Sequence, residues 1–375
     1  MGAMSAAEQD AKWMTEAIQE ARKGRPSPNP HVGALLVKDG EIIAVGHHDQ
    51  AGQAHAEGAA IESAGERARG ATLYVTLEPC NHHGRTAPCV DAILAAGVTR
   101  VVVGARDPNP HVEGGGIERL LAAGVEVDQS VMADEAARLI KPWAKFITTG
   151  LPFVALKLAL SVDGRIATRT GASRWITGKT ARAKVHALRA RHDAVAVGIG
   201  TVLADDPTLT VRDAPGTHPV RIVFDSKLRL PLSSKLISTL DEAALVVVTT
   251  VDAPVDGASA LEDRGITVLR AESTTEGRVD LLTALQELAS VNVVSLMVEG
   301  GAELAGSFLA ARLADQLHAF IAPSLLGPRG RPGAVDWAGP ATPSEAPRLS
   351  KPVWELCGED AYLHGEILYP DEQDQ

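Results

Sequence analysis

Three residues of types that bind zinc, and one carboxylate, lie in a single stretch of the chain. His55, Cys80 and Cys89 offer an imidazole and two thiols, and Glu57 follows the histidine by two residues. A hydrolytic zinc site uses three protein ligands and leaves a fourth position for water, whose pKa it lowers to about 7. A free carboxylate beside that water can carry protons to the substrate. The four residues therefore predict a zinc-dependent hydrolytic site with Glu57 as its catalytic group.

Two other interpretations of the cysteines are weaker. Free cysteines are often simply buried in a core, and Cys357, far from the other two, is interpreted in that way. A structural zinc site normally has four protein ligands, whereas this chain contains three cysteines in all. His-x-Glu followed by Pro-Cys and a second cysteine is instead typical of zinc deaminases that act on nucleobases.

The spacing of the two cysteines differs from the usual pattern of those deaminases. Nucleobase deaminases carry Cys-x-x-Cys, but here eight residues separate Cys80 from Cys89. The intervening segment, NHHGRTAP, is rich in polar donors. A loop of this length can reach over the pocket and contact a substrate.

The composition favours two globular domains and a small-molecule substrate. A chain of 375 residues, 45% of them hydrophobic, is long enough for two domains. Its 36 basic and 47 acidic residues give a net charge of −11, which repels the phosphates of nucleic acids. We expect neither a membrane span nor a signal peptide. The low cysteine content indicates the cytoplasm.

The first half of the chain predicts an α/β domain that positions the zinc-binding residues. Apolar spacing predicts a helix over residues 8–23, and Asp39-Gly40 predicts a hairpin. A helix opens at His55, the strand TLYVTLE delivers Cys80, and Cys89 begins another helix. This alternation predicts an α/β sandwich with a mixed sheet. His55 and Glu57 cannot share one helix face, but they can flank one pocket at the helix end.

The second half predicts a separate α/β domain, with the boundary near Thr149. The segments predicted as strands are FVALKLALS, DAVAVGIGTVLADDP, VRIVFDS, ALVVVTT and ITVLRA, and TARAKVHALRARH is predicted as a helix. The tail segment WELCGEDAYLHGEILYP predicts a closing antiparallel pair. A strand runs into Glu299-Gly300-Gly301 and a helix follows, an arrangement that favours a phosphate group. Because this is not the G-x-G-x-x-G pattern, an ordinary strand–turn–helix junction remains an alternative.

Both halves of the chain resemble one known family. PNPHVG, HAE, YVTLEPCNHHGRTAPC and DPNPHVEGGGI resemble the deaminase half of the bifunctional deaminase/reductase family of riboflavin biosynthesis, called RibD or RibG. KLALSVDGRIA, GASRWITG, HALRARHDAVAVGIGTVLADDPTLTVR, FDSKLRLP and VEGGAELAGSFL resemble its reductase half, in the same order. Many members carry Cys and Pro where this chain has Ala34 and Ala87, but neither position is a zinc ligand.

The resemblance implies a fold and a pair of reactions. Residues 1–148 would form a cytidine-deaminase-like α/β/α sandwich, and residues 149–375 a dihydrofolate-reductase-like α/β domain. The first would use Zn²⁺ to deaminate 2,5-diamino-6-ribosylamino-4(3H)-pyrimidinone 5′-phosphate. The second would use NADPH to reduce the ribose of 5-amino-6-(5-phosphoribosylamino)uracil to ribityl. The family also implies a homo-oligomer formed through the reductase half.

The resemblance further implies the residues that bind substrate in the deaminase half. They are Asn29, His48, His82 and Arg85. The Asn29 amide can pair with a pyrimidine edge, and Arg85 can hold a phosphate with two hydrogen bonds. A turn-stabilising Asn29 and a solvated Arg85 are the alternatives.

For the reductase half, the resemblance implies two groups of residues. The cofactor contacts are Ala159, Trp175, Thr201, Asp205, Ser226 and the turn Gly301, Ala302, Glu303, Leu304, Ala305, Gly306 and Ser307. The substrate contacts are Ser173, Arg189, Leu209, Arg212 and Glu299. Lys157 or Asp205 is the candidate proton donor, and Ser226 and Lys227 are the candidates for contacting a 2′-phosphate. Alternatively, Trp175 is a core aromatic residue, Arg189 and Arg212 are surface charges, and Asp205 is a cap or turn residue.

Two other functions compete with this interpretation. One is a nucleoside or tRNA deaminase with an unrelated fused domain, which the cysteine spacing and the acidic charge balance disfavour. The other is a non-catalytic binding protein that has kept the fold. The presence of Glu57 and of all three candidate ligands argues against that second function.

Overall fold

A computed structural model describes residues 5–82, 87–110, 115–212, 214–327 and 333–372. The chain separates into two compact units, Met1–Gly150 and Leu151–Gln375. Within the described ranges, no helix is both long enough and apolar enough to cross a bilayer.

The first unit is built on a five-stranded mixed sheet. Its helices are α1 (Ala6–Ala21), α2 (Ala56–Ala64), α3 (Cys89–Ala96), α4 (Gly116–Ala122) and α5 (Ala133–Thr149), with a short 3₁₀ helix at Gly65–Ala68. Its strands are β1 (Gly33–Lys38), β2 (Glu41–His47), β3 (Thr72–Leu77), β4 (Arg100–Ala105) and β5 (Glu126–Asp128), in the order β2-β1-β3-β4-β5. β1 is antiparallel to β2 and β3, whereas β3, β4 and β5 are parallel to one another. The predicted mixed sheet is confirmed.

Helices cover both faces of this sheet. Adjacent strand residues point to opposite faces, so Tyr74 packs in the cluster that contains α1, and Leu73 packs in the one that contains α2 and α3. The hairpin between β1 and β2 turns at Asp39 and Gly40, whose φ angles are 53° and 76°. Both central residues of a tight type I′ turn need this left-handed conformation. Because β3 and β4 are parallel neighbours, their carboxyl ends lie side by side.

The second unit contains a nine-stranded sheet. Its strands are β6 (Phe153–Ser161), β7 (Ala194–Gly198), β8 (Val220–Phe224), β9 (Leu245–Thr250), β10 (Thr267–Ala271), β11 (Ser295–Val298), β12 (Gln316–Ala322), β13 (Arg348–Cys357) and β14 (Asp360–Leu368). Its helices are α6 (Lys179–Arg189), α7 (Ile199–Asp205), α8 (Lys235–Ser238), α9 (Val255–Glu262), α10 (Leu281–Ser290) and α11 (Ala302–Ala310), with short 3₁₀ helices at Pro343–Glu345 and Pro370–Glu372. The order is β10-β9-β8-β7-β11-β6-β12-β14-β13.

Seven strands of this sheet, from β10 to β12, are parallel, and β14 and β13 close it as the antiparallel pair expected from the tail. Alternating helices cover the parallel part, as a parallel sheet requires. Polar loops at the carboxyl ends of its central strands border one large cavity.

The prediction was wrong for part of one strand. The segment DAVAVGIGTVLADDP is a strand only as far as Gly198, and α7 follows. Gly198 adopts an extended conformation as the residue before the helix, after which Ile199 and Val202 are buried at helical spacing. An unbroken apolar run does not distinguish a buried strand from a buried helix.

The segment LIKPWAKFITTG at the expected boundary belongs to the end of a helix. α5 continues through Pro142 as far as Thr149. It ends at Gly150, whose φ of 72° is the left-handed conformation typical of a helix end.

Two candidate active sites

The three candidate zinc ligands converge in the first unit. His55 is the residue just before α2, Cys80 follows β3, and Cys89 is the first residue of α3. Their ligand atoms all lie within 4.8 Å of one another. His55 Nδ1 is 3.2 Å from Cys89 Sγ and 3.5 Å from Cys80 Sγ. Three segments that are separate in sequence therefore meet at one point.

These distances fit a tetrahedral zinc ion. Zn–S and Zn–N bonds of about 2.3 and 2.0 Å place a nitrogen and a sulfur ligand about 3.5 Å apart. Hydrogen bonds from Cys89 and His55 lower the pKa of the Cys80 thiol, although burial acts in the opposite direction. The proton shared with Cys80, together with burial, raises the pKa of Cys89. One imidazole and two thiols, one of them readily ionised, are a donor set suited to Zn²⁺.

Glu57 lies in the first turn of α2, beside the three ligands. Its side chain is buried, with the residue only 3% exposed. Burial and the charge of Cys80 raise the pKa of this carboxyl to about 7. A buried carboxyl group that exchanges a proton near neutrality is suited to general acid and base chemistry.

Two of the predicted substrate contacts, Asn29 and His48, touch each other beside the candidate zinc ligand His55. His48 Nδ1 lies 3.0 Å from the carbonyl oxygen of Ala54, and its Nε2 lies 2.9 Å from Asn29 Nδ2. A proton on Nδ1 satisfies both contacts, since Nε2 then accepts from the amide. The His48 ring lies 5.2 Å from the ring of His55. Burial lowers the pKa of His48, which favours this neutral form.

The other two predicted contacts are in the segment between the cysteines. His82 is exposed. Arg85 lies outside the described residues, so its predicted role as a phosphate contact stays a prediction.

The sequence analysis missed two carboxylates at this site, Glu78 and Asp107. Glu78 is buried and accepts hydrogen bonds of 3.3 Å from the backbone N–H groups of Asp107 and Ile117. Asp107 is half-buried, and burial raises the pKa of its carboxyl group. The charge of Cys80 also raises this pKa, whereas the charge of His82 lowers it. Both residues follow parallel strands, β3 and β4. The rule that sites form at the carboxyl ends of such strands could have indicated them.

The second unit holds a cavity of about 1540 Å³ at the carboxyl ends of its parallel strands. The predicted residues that line it are Lys157, Ala159, Ser173, Trp175, Arg189, Thr201, Asp205, Leu209, Arg212, Ser226, Glu299, Gly301, Ala302, Glu303, Leu304 and Ser307, and Lys227 lines it as well. Ala305 and Gly306 are buried and are not among its lining residues. A side chain on Gly306 would overlap the carbonyl oxygen of Asp336, so that glycine serves packing.

A charged cluster lies at the inner end of this cavity. Glu299 follows β11 and forms two hydrogen bonds with Arg189, one of them 3.0 Å long from Nη2, and its carboxylate is 3.6 Å from Lys157 Nζ. Burial alone would raise the pKa of Glu299, but the charges of Arg189 and Lys157 outweigh it and lower the pKa to about 2. Burial lowers the pKa of Lys157 despite its carboxylate neighbour.

Several other polar residues of the cavity are also held by specific contacts. Asp205 accepts a hydrogen bond of 3.0 Å from the Ser173 hydroxyl, and Arg212 donates one of 2.9 Å to the Thr208 hydroxyl. Arg189 donates through Nη1 to the carbonyl oxygen of Thr210 at 2.9 Å. The cavity therefore combines a cationic wall with ordered hydroxyl groups, a chemistry that suits phosphorylated ligands.

Comparison with known proteins identifies the two sites. Residues 7–105 match the cytidine and deoxycytidylate deaminase zinc-binding region, and residues 152–363 match the RibD C-terminal domain. The riboflavin biosynthesis protein RibD of Aquifex aeolicus is 43% identical over 357 residues, which cover 94% of this chain and 97% of that protein. This chain belongs to the RibD family.

Two solved structures support the same assignment across the whole chain. Acinetobacter baumannii RibD is 37% identical with a TM-score of 0.85, and the match covers 97% of this chain and all of that one. A protein of Thermotoga maritima, described as a diaminohydroxyphosphoribosylaminopyrimidine deaminase/5-amino-6-(5-phosphoribosylamino)uracil reductase, is 35% identical with a TM-score of 0.83 and the same coverage. The predicted family and its two-part fold are confirmed: this chain is a bifunctional deaminase and reductase of riboflavin biosynthesis.

RibD enzymes use zinc in the deaminase half and NADPH in the reductase half, and the residues present suit both. The His and Cys donors have the spacing of a zinc site, as described above. In the cavity, Gly300 and Gly301 precede the nine-residue helix α11. The backbone N–H groups at such a helix start favour the phosphates of a dinucleotide.

Proposed function

We propose that the deaminase half acts on 2,5-diamino-6-ribosylamino-4(3H)-pyrimidinone 5′-phosphate and the reductase half on 5-amino-6-(5-phosphoribosylamino)uracil. The domains would span residues 1–148 and 149–375. The observation that carries this proposal is the pairing, in one chain, of a His-Cys-Cys group beside a buried carboxyl with a separate cationic cavity. The activities described for the Thermotoga maritima protein support the two substrates.

In the deaminase half, His55, Cys80 and Cys89 would hold zinc, which when bound supplies an activated water molecule. Glu57 would take a first proton from that water and deliver it to the ring nitrogen as the water oxygen bonds to the ring carbon. It would then carry the remaining proton of the new hydroxyl group to the amine as the bond between carbon and nitrogen breaks. Ammonia leaves and a ring carbonyl remains. Asn29 and the neutral His48 would orient the pyrimidine through the hydrogen-bonding groups they present, with Arg85 and His82 as further contacts.

In the reductase half, the turn Gly301–Ser307 together with Ala159, Trp175, Thr201, Asp205 and Ser226 would hold NADPH, which when bound supplies hydride. The anomeric carbon gains the hydride, its bond to the ring oxygen breaks, and that oxygen takes a proton. Lys157 is the proposed proton donor because its largely buried ammonium lies beside Glu299, and burial lowers its pKa. Ser173, Arg189, Leu209 and Arg212 would bind the phosphoribosyl group, with Glu299 fixing Arg189 and Lys157.

Removing zinc separates the two activities. A strong chelator such as dipicolinate is expected to abolish ammonia release from the diaminopyrimidinone phosphate. It should leave NADPH oxidation with the phosphoribosylaminouracil unchanged, because the reductase cavity contains none of the proposed ligands. Restoring one equivalent of Zn²⁺ should restore deamination. Persistent deamination by protein shown to be free of metal would refute the proposed zinc site.

We also propose that the protein acts in the cytoplasm, does not bind nucleic acid and forms a homo-oligomer through its reductase half. The acidic net charge of −11 and the low cysteine content support the first two points. The edge strand β13 supports the third, because Trp354 is 62% exposed and Leu356 is 82% exposed. An exposed apolar edge strand is a template for pairing, and a second copy of β13 would cover it.

Leu356→Lys is therefore expected to shift the protein to a smaller assembly, because the charge cannot be buried at a strand interface. Light scattering after size-exclusion chromatography measures this directly. Val255→Lys, at a residue of the same unit that is 70% exposed, is the matched control and should leave the mass unchanged. A wild-type chain that is monomeric at all concentrations would contradict the proposed assembly.

A further inference from the structure

Arg119, on α4, contacts both segments that carry the two thiol ligands. Its Nη1 donates to Asn81 Oδ1 at 2.8 Å, and its Nη2 donates to Asp91 Oδ1 at 2.5 Å. Asn81 directly follows Cys80, and Asp91 lies two residues after Cys89. One guanidinium group therefore joins the ends of the chain that leave and re-enter the proposed zinc site.

The helix that carries Arg119 is itself fixed to the Cys80 side of the site. Gly116 packs so closely on Pro79 that an added side chain would overlap the Pro79 carbonyl oxygen. The backbone N–H of Ile117 donates to the Glu78 carboxylate at 3.3 Å. α4 and residues 78–81 therefore form one body, and Arg119 links that body to α3.

The spacing of the cysteines explains why such a link is needed. In Cys-x-x-Cys, a single tight turn fixes the distance between the two sulfur atoms, whereas here eight residues intervene. A hydrogen bond of 3.3 Å from the Cys89 backbone N–H to Cys80 Sγ also joins the two sides. That bond depends on the start of α3 lying against Cys80, and a longer connection between two ligands constrains their distance less than a short one does.

We propose that Arg119 is a positioning residue, which holds α3 where the sulfur atoms of Cys80 and Cys89 can bind the same zinc ion. The two hydrogen bonds of Arg119 would fix the distance between the two cysteine segments, as a short turn does in Cys-x-x-Cys deaminases. The proposal rests on the assignment of His55, Cys80 and Cys89 as the ligands. Arg119 and Asp91 both have 42% of their side-chain surface exposed. Such an ion pair adds little stability, so its effect should appear in metal affinity rather than in unfolding.

The test is the affinity of Arg119→Ala for Zn²⁺, measured by chelator competition on the full chain. Loss of groups that orient metal ligands typically lowers affinity 10- to 100-fold, and we expect a decrease in that range. With Co²⁺ in place of zinc, the thiolate charge-transfer and d–d absorption bands should weaken as the sulfur atoms separate. The control is Arg138→Ala, which removes an equal charge from a partly exposed pair with Glu135, 2.9 Å apart on α5, and should change neither readout.

Circular dichroism and urea unfolding of the full chain report whether the first unit of the variant folds, and both should match wild type in Arg119→Ala. Zinc affinity within about twofold of wild type, with an unchanged Co²⁺ spectrum, would overturn the proposal. If Arg119→Ala does not fold, Arg119→Gln decides by the same criteria, because it keeps most of the aliphatic stem. A wild-type chain that binds no stoichiometric zinc would overturn both the ligand assignment and this proposal, whereas normal zinc binding by the variants would overturn this proposal alone.

Discussion

Glu57→Gln is expected to lower the rate of deamination by a factor of about 10² to 10⁴, the usual contribution of a positioned acid and base. Glutamine keeps the size and much of the hydrogen bonding of the side chain but cannot carry a proton. Glu57 is buried next to the two thiols, where its carboxyl group is shielded from solvent. Ammonia release in single-turnover and steady-state assays measures the effect.

The variant should still contain one zinc per chain and should reduce the phosphoribosylaminouracil at the wild-type rate. Glu62→Gln is the matched control, because it alters an exposed carboxylate of the same helix, α2. Deamination at the wild-type rate by Glu57→Gln would remove this residue from the mechanism while leaving the metal site intact.

Glu299→Gln is expected to abolish reduction and to destabilise the second unit by about 3–5 kcal/mol, the usual cost of breaking a buried ion pair on one side. The substitution leaves Lys157 and Arg189 without the carboxylate that neutralises them. Urea unfolding followed by circular dichroism measures the stability, and NADPH oxidation measures the activity. Deamination should persist below the unfolding transition of the second unit.

The stability difference between wild type and Glu299→Gln should decrease as the pH falls below 4.5. The pKa of Glu299 is about 2 in the fold, below its ordinary value of 4.5. Its contribution is therefore fully present above pH 4.5 and is lost as the pH falls from 4.5 towards 2. Glu303→Gln, which alters a largely exposed carboxylate of the same cavity, is the control. Equal stabilities of wild type and Glu299→Gln at neutral pH would contradict the proposed neutralising role.

Features that depend on neighbouring residues could be predicted from the sequence. Asp39-Gly40 indicates its own hairpin, and the convergence of His55, Cys80 and Cys89 follows from strands and helices that begin or end at those residues. Features that depend on distant parts of the chain could not. Arg189 and Glu299 are 110 residues apart, so only the fold shows that they neutralise one another. Glu78 and Asp107 likewise became visible once β3 and β4 were known to be neighbours.

The position of β6 affects the order in which the protein can be completed during synthesis. β6 opens the second unit, yet its partners in the sheet, β11 and β12, begin at Ser295 and Gln316. A ribosome must therefore translate most of this unit before its first strand has a neighbour, whereas β1 to β5 of the first unit pair over shorter separations. Because contacts between distant segments form slowly, the deaminase half is expected to acquire its native structure while the reductase half is still being made.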